Sequence, residues 1–572
     1  MPYSQYFRGL HPLTHQVYLP ERGTFIMVRP YPLVLKYTCF FLAFLLVTIS
    51  PAMSAAVSPA GHFSPETLFR PSYHGLPAPG PVSGSYVPPP GTMPVIVLSG
   101  SPYEMGYQYG LQAPGYIALV RDAAWASARS RSSYAEVLDN CSIYEGYITR
   151  ELPDFDFLSF FQGLSDAMND QGVPFSPADP VVMLYYGGRQ GPAPPVEEHC
   201  TAFAAFGNIT KKGLIAGVNF DYYPVPSNSY PVILAMYPDA GNSCILPSGA
   251  GRTGSNAVVN DKGLVYIVAS SPSQAAGDTG PGITGFLELP YVGMTAGSVP
   301  EAEQFLTSST RAFALNHVIA DKSGDAVVLE ATRTRYGTRH PADTNSSGYI
   351  IATNHYLMPE MKPSQRTWDP KLYYPSSFYR YITAEKEITD NAGSFNYTSA
   401  TGTLSLTDWW DGEKWHMDDP WSANTINRFR PDTATLYSLV AIPDDNVVSI
   451  CNGNPGMPYW GTRAPGQSGL YVNYTVGGTP ENMVYQLRSE ADRAMWNTVK
   501  AMGNAPAPEI ARLYNGCEDQ YWEAVWWHNR SVLETDKNSR MLAFGRAATG
   551  FSGVIARAGY IRDNCAGGAA SP

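Results

Sequence analysis

The feature that most constrains this chain is a change of hydrophobic period immediately after His199. CTAFAAFG (200–207), the polar turn NITKKG and LIAGVNFD (214–221) read as a hairpin of buried strands. Upstream, SSYAEVLDNCSIYEGYITREL and PADPVVMLYYGG carry helical spacing. MPVIVLSG (93–100) reads as a strand stopped by Gly100, and a helix follows Ser101. In that helix Tyr103 and Tyr107 share a face, and the glycines at 106 and 110 suit tight packing against a neighbouring backbone. Downstream, SYPVILAMYP (229–238), NAVVND (256–261), GLVYIVAS (263–270) and YIIATNHY (349–356) read as strands. FALNHVIADKSGDAVVLEAT (313–332) reads as a hairpin turning at Lys322 to Gly324, and TATLYSLVAIPDDNVVSICNG (433–453) as a last one. VPEAEQFLTSST and SSFYRYITAEKEI supply helices between them, and the chain is helical from 480 onward. Hairpins interrupted by helices imply packed sheets with helices outside.

The start of the chain has a different character. Tyr37 to Ile49 is almost wholly apolar, with Arg29 and Lys36 before it and Ser54 and Ala56 after it. That is the order of an export signal ending near residue 55, although the stretch before Met27 is long for one. The apolar core is short for a spanning helix, which needs about 20 residues, so no lasting membrane span is expected. The expected division is an export signal region (1–56), a Pro/Gly/Ser-rich linker (57–92), a propiece or small subunit (93–199), a catalytic domain (200–479) and a helical C-terminal subdomain (480–572). The net charge of −11, with no long run of Lys or Arg, excludes a nucleic-acid partner. Cys517 with Cys565 is a candidate disulfide. No CxxC pair or HExxH pattern accompanies the scattered histidines, so neither a metal nor an organic cofactor is expected.

Read as single residues, the polar groups near the hairpin are ordinary. Cys200 suits a buried small hydrophobe, Asp221 a strand end in the turn DYYP, Asn354 a hydrogen-bonded loop entry, and Arg380 a surface helix arginine. Taken in order, the motifs say more. HCTAFAAFGNITKKGLIAGVNFD resembles the start of the mature chain in the N-terminal-nucleophile family that includes isopenicillin N acyltransferases, with more distant likeness to bile-salt hydrolases and acid ceramidases. SPYEMGYQYG resembles the propiece motif of the acyltransferase branch. LNHVIADKSGDAVVLEAT resembles the family's central hairpin, IIATNHY its Asn-bearing strand and SSFYRY its Ser-x-x-x-Arg helix start. The resemblance spans about residues 93 to 455.

This resemblance implies a four-layer αββα fold (α+β) with a helical C-terminal extension, and a chain that cuts itself between His199 and Cys200. The freed α-amine, with a pKa of about 7.7–8.0, can take the proton of the neighbouring thiol. Asp221 lies at the end of the second strand, which pairing brings back toward Cys200; by resemblance it orients that amine. Asn219, two residues earlier and so on the same face, is a candidate substrate contact. By resemblance Asn354 stabilises the oxyanion and Arg380 holds the site or a substrate carboxylate. Two departures stand out. Val218 occupies the region where bile-salt hydrolases and ceramidases carry an arginine. Ser270, a second candidate substrate contact, aligns near a usual oxyanion asparagine of the bile-salt group. Both favour the acyltransferase branch. The expected activity is hydrolysis of a small amide or N-acyl substrate by an exported enzyme that keeps its propiece as a small subunit. Acyl transfer to an amine and a non-catalytic exported binding protein are the alternatives.

Overall fold

Strands that are apolar on both faces need a covering layer on each side. The computed structural model describes residues 93–187, 200–222, 230–344, 346–365, 369–417, 419, 421–428, 430, 433–456, 470–503 and 506–567. It opens with β1 (Val95–Gly100), followed by α1 (Pro102–Gln112), α2 (Pro114–Arg129), α3 (Tyr134–Glu151), α4 (Phe157–Asp170) and α5 (Ala178–Tyr185). The hairpin strands are β2 (Thr201–Ala205) and β3 (Ile215–Tyr222). Next come β4 (Pro231–Pro238), β5 (Cys244–Gly249), β6 (Ala257–Asn260) and β7 (Leu264–Ser270), then α6 (Gly285–Thr295) and α7 (Val299–Ser308). They lead to β8 (Leu315–Asp321), β9 (Ala326–Ala331), β10 (Tyr336–Arg339), β11 (Tyr349–Ala352), α8 (Pro375–Asp390) and α9 (Tyr397–Leu404). A short hairpin, β12 (Trp409–Trp410) with β13 (Trp415–His416), precedes β14 (Ala434–Ile442), β15 (Val447–Asn452) and β16 (Tyr471–Thr475). The last helices are α10 (Pro480–Met502), α11 (Pro508–Leu533) and α12 (Lys537–Gly567).

Among the described residues the larger sheet has the order β1-β4-β5-β6-β7-β8-β9-β10 and the smaller one β11-β2-β3-β14-β15-β16. Only β1 and β4, within these two sheets, pair in parallel. The alternation of side chains assigns each face. Leu234, Leu246, Tyr266 and Leu329 of the larger sheet meet α1 to α7. Ile233, Val259, Ile267 and Val328 point the other way, against Ala202, Ala216, Val218 and Leu439 of the smaller sheet. Phe203, Ile215, Ile351 and Val440 then cover Tyr381, Ala384, Ile388 and Leu404 of α8 and α9. The result is αββα, as the motifs implied.

The residues before and after the hairpin belong to this same packing. β1 lies at the edge of the larger sheet, and its Val95 N–H donates to Thr549 Oγ1 of α12 at 2.9 Å. Helices α10 to α12 contribute Leu487, Tyr514, Phe544 and Phe551 to the same core cluster. β16 pairs with β15, so the hairpin at 433–453 is not the last strand pair. Cys517 and Cys565 are both free thiols, and Cys517 Sγ lies buried 3.5 Å from Met495 Sδ; the expected disulfide is not formed. The export signal and linker segments and His199 lie outside the described residues. Among the described residues no helix is long and apolar enough to cross a membrane.

The capping box Ser101–Glu104 starts α1, which crosses α4 at close quarters. A Cβ on Gly106 would lie 1.9 Å from the Phe160 carbonyl oxygen, and one on Gly163 would lie 2.1 Å from that of Tyr103. Each helix thus needs a glycine under the other's backbone. Gly106→Ala and Gly163→Ala should each cost about 1–3 kcal/mol in urea unfolding. Gly146→Ala on α3, where a Cβ meets nothing within 4 Å, should instead stabilise by about 0.5–1 kcal/mol. Equal effects at all three positions would contradict the close crossing.

A polar cluster lies on the helix side of the larger sheet. The Tyr266 hydroxyl is 2.8 Å from His317 Nδ1 and 3.4 Å from Glu288 Oε2. Burial pushes the Glu288 carboxyl up to about 7, against the pull of the Arg311 guanidinium and the Tyr266 hydrogen bond. An unfolded glutamate releases its proton near 4.5, so between 4.5 and about 7 the native state holds more protons than the unfolded chain. Stability therefore falls as pH rises through that window. Glu288→Gln should raise the melting temperature at pH 8, by a free energy on the order of 3 kcal/mol, and change it little near pH 4.5. His317, pushed down to about 3 by burial, acts in the opposite direction below its ordinary pKa and is common to both proteins. A shift independent of pH would overturn this assignment.

Candidate functional site

The hairpin register builds the site. Thr201 pairs with Asn219 and Ala205 with Ile215, so one further step sets Cys200 across from Phe220. On the far side of β3, Phe220 pairs with Tyr437 of β14, and their rings stack with centroids 5.0 Å apart. On the outer side of β2, Ala352 of β11 pairs with Ala202, and two further residues along that register bring Asn354 across from Cys200. Asn354, Cys200, Phe220 and Tyr437 thus form a row across one end of the smaller sheet. By alternation they share the face of Ala202, Val218 and Leu439, which is turned toward the larger sheet. Both ends of the row are tied to that sheet. Asn354 Nδ2 donates to the Ser270 carbonyl at 2.6 Å, and the Tyr437 hydroxyl donates to Asn256 Oδ1 at 2.5 Å.

Asn354 is expected on a strand and lies just beyond one, because β11 ends at Ala352. Side chains draw the backbone away from the ladder there. Asn316 Nδ2 donates to the carbonyls of Thr353 (2.9 Å) and His355 (3.0 Å), while the Asn354 N–H donates to Ser377 Oγ at 2.7 Å. Ser377 stands in the first turn of α8, so the TNH segment and the Ser-x-x-x-Arg helix start are joined.

Arg380 is fully buried, which corrects its reading as a surface helix residue. Its Nη1 donates to the Cys200 carbonyl and, at 3.1 Å, to Thr201 Oγ1. Its Nη2 donates to Asn354 Oδ1 at 2.6 Å. One guanidinium therefore holds Cys200 and Asn354 together. It also leaves the Asn354 amide with a hydrogen beyond the one given to Ser270. Lysine has the charge but not the planar fork. Arg380→Lys should lower stability by about 2–4 kcal/mol in thermal or urea unfolding, through lost charge-assisted bonds. An unchanged unfolding curve would mean that the guanidinium holds nothing that lysine cannot.

Asp221 lies on the opposite face of β3, fully buried. Thr435 Oγ1 donates to its Oδ1 at 2.6 Å, and Arg428 Nε stands 3.9 Å from its Oδ2. Burial raises its carboxyl to about 6, while Arg428, Thr435 and Arg380 hold it from rising further. Asp221 thus stands at the same end of the hairpin as Cys200, one residue beyond the position across from it. Asn219 shares the Asp221 face as expected. Its Nδ2 donates to the Leu404 carbonyl at 2.8 Å and the Ile426 carbonyl at 3.0 Å, so both amide hydrogens tether β3 to neighbouring backbone. Ser270 takes part through its carbonyl. Val218 is fully buried between the sheets, where a guanidinium would have to displace apolar packing.

Sequence reasoning missed Arg428, Thr435, Tyr437, Asn256 and Thr201. Arg428 sits outside regular elements in TINRFRP and carries no periodic signal. Thr435 and Tyr437 read as ordinary strand residues, and Asn256 as no more than the first residue of a strand. Among the described residues no group of three or more His, Cys, Asp or Glu is placed to hold a metal ion.

Comparison with known proteins bears out the resemblance over part of the chain, from β3 onward but not over Cys200 and β2. Residues 209–456 match the family model described as acyl-coenzyme A:6-aminopenicillanic acid acyl-transferase. A curated relative, an uncharacterized protein of Archaeoglobus fulgidus, is 23% identical over 353 residues, which cover 52% of this chain and 55% of the relative. The chain thus spans about half the length of that relative. Among solved structures, a mutant of conjugated bile acid hydrolase from Clostridium perfringens matches at 14% identity and a TM-score of 0.31, covering 44% of this chain and 89% of the other. An N-acylethanolamine-hydrolyzing acid amidase ortholog from Caenorhabditis elegans matches at 15% identity and 0.29, covering 43% and 93%. Penicillin V acylase from Agrobacterium tumefaciens matches at 15% and 0.28, covering 44% and 83%.

Proposed function

We propose that this protein is an exported, self-processing amidohydrolase of the N-terminal-nucleophile type, with Cys200 as its nucleophile. The observation that carries the reading is the Arg380 guanidinium, which joins the Cys200 carbonyl to Asn354 at the end of the β2–β3 hairpin. In the uncut chain the Cys200 thiol attacks the His199 carbonyl and the acyl group moves from nitrogen to sulfur. Water then releases it, leaving a carboxylate on His199 and a free α-amine on Cys200. That amine takes the thiol proton, directly or through a water, while Asp221 orients it. The thiolate adds to the carbonyl of a small N-acyl substrate, and Asn354 donates its remaining amide hydrogen to the oxyanion. Collapse expels the amine with the proton taken from sulfur, and water cleaves the thioester. The edge position of β1 and its contact with α12 favour a cut propiece that stays in place.

Transfer of the acyl group to an amine instead of water is the second reading. The match of residues 209–456 to an acyl-transferase family model favours it. Product analysis with and without an added amine separates the two.

Intact mass and N-terminal sequencing of purified precursor test the central claim. Without added protease, two chains should form, the larger beginning at Cys200. Cys200→Ala should stay uncut and inactive toward N-acyl 4-nitroanilides. In processed protein, Asn354→Ala should lower turnover by about 10²–10³, and Asp221→Asn should lower it strongly. An active protein that remains a single chain would falsify the α-amine as base.

A further inference from the structure

Asn256 is a second buried amide facing the Cys200 row from the opposite sheet. It immediately precedes β6, and the Val268 N–H donates to its carbonyl at 2.8 Å, which fixes its backbone against β7. Its side chain is buried, and its Oδ1 accepts the Tyr437 hydroxyl at 2.5 Å. The Tyr437 hydroxyl is the donor of this bond and Oδ1 its acceptor. That sets the orientation of the amide, with Nδ2 on the other side. Nδ2 has no hydrogen-bond partner among the described residues, although it is shielded from solvent.

An unmade buried amide donor is costly, at about 1–3 kcal/mol, and a folded protein rarely keeps one without a use. The hydroxyl of Ser271, the residue after β7, is also buried and has no hydrogen-bond partner among the described residues. Asn256 and Ser270 mark the same end of the larger sheet, where Tyr437 and Asn354 attach. The row between those two attachments holds Cys200 and Phe220. Cys200 is also among the groups whose charge acts on the Tyr437 phenol, so thiol and phenol lie within electrostatic reach.

We propose that Asn256 is a further catalytic residue, donating from Nδ2 to the substrate carbonyl oxygen as Cys200 attacks, and that Tyr437 is the residue that positions it. The inference rests on the reading of Cys200 as nucleophile. As the carbon–sulfur bond forms, the carbonyl π pair moves onto oxygen, where Asn256 and Asn354 supply one amide donor each. The thiol proton goes to the α-amine and the leaving group departs as the oxyanion collapses.

Two reactions of the same thiol test this on the full processed protein. Acylation by 4-nitrophenyl acetate forms a carbon–sulfur bond through an oxyanion and releases 4-nitrophenolate. Alkylation by iodoacetamide also consumes the thiolate but displaces iodide without an oxyanion. Asn256→Ala should slow acylation of Cys200 by about 10²-fold, with alkylation within about twofold of wild type. Tyr437→Phe keeps the amide but frees it to turn, and should slow acylation by about 10-fold with alkylation again little changed. Acylation within about threefold of wild type in Asn256→Ala, or an equal fall in both reactions, overturns the proposal. If Asn256→Ala fails to fold, Tyr437→Phe decides by the same ratio. Wild-type protein that is never acylated at Cys200 overturns the nucleophile reading itself, a result distinct from either variant's.

Discussion

The guanidinium of Arg380 is the interaction on which the site depends. A buried cation is tolerated only where hydrogen bonds replace its water, and each bond it makes here fixes an element. The Cys200 carbonyl and Thr201 hydroxyl hold the start of β2, and Asn354 holds the end of β11. The helix that carries Arg380 is in turn held by Ser377, which receives the Asn354 N–H. Loss of the charge would therefore loosen three segments that share no ladder bond at that point.

Around this contact the two faces of the smaller sheet carry different chemistry. Toward the larger sheet stand Asn354, Cys200, Phe220 and Tyr437, at one end of a layer that also holds Val218, Val259, Ile267 and Leu439. Toward α8 and α9 stand Thr201, Asn219 and Asp221, in a layer of arginines and hydroxyls. Burial raises the Asp221 carboxyl to about 6, and Arg428, Thr435 and Arg380 each act to lower it. Arg428, with Nε 3.9 Å from Oδ2, supplies part of the charge compensation.

Much of this is legible in the order of the amino acids. The alternation in CTAFAAFG and LIAGVNFD determines the hairpin, and a hairpin brings its ends together whatever surrounds it. The glycines at 106 and 110 signal a close helix crossing, and Gly106 makes one. What neighbours in sequence do not reveal is the remote partner: Leu404 and Ile426 for Asn219, Cys200 and Asn354 for Arg380, and Met495 for Cys517, whose expected disulfide is not formed.

The sequence by itself determined the strand and helix types, the order of the layers and the hairpin that places Asp221 near Cys200. Those follow from periods of two and 3.6 residues, which are local properties of the chain. Only the tertiary structure decided which side of each sheet faces which layer. It thereby buried Arg380, tied Asn219 to the Leu404 and Ile426 carbonyls and set Asn256 against Tyr437. Register within a hairpin is a short-range matter. The meeting of β6 with β14 across two sheets depends on how their packed faces interlock, and no spacing along the chain records that.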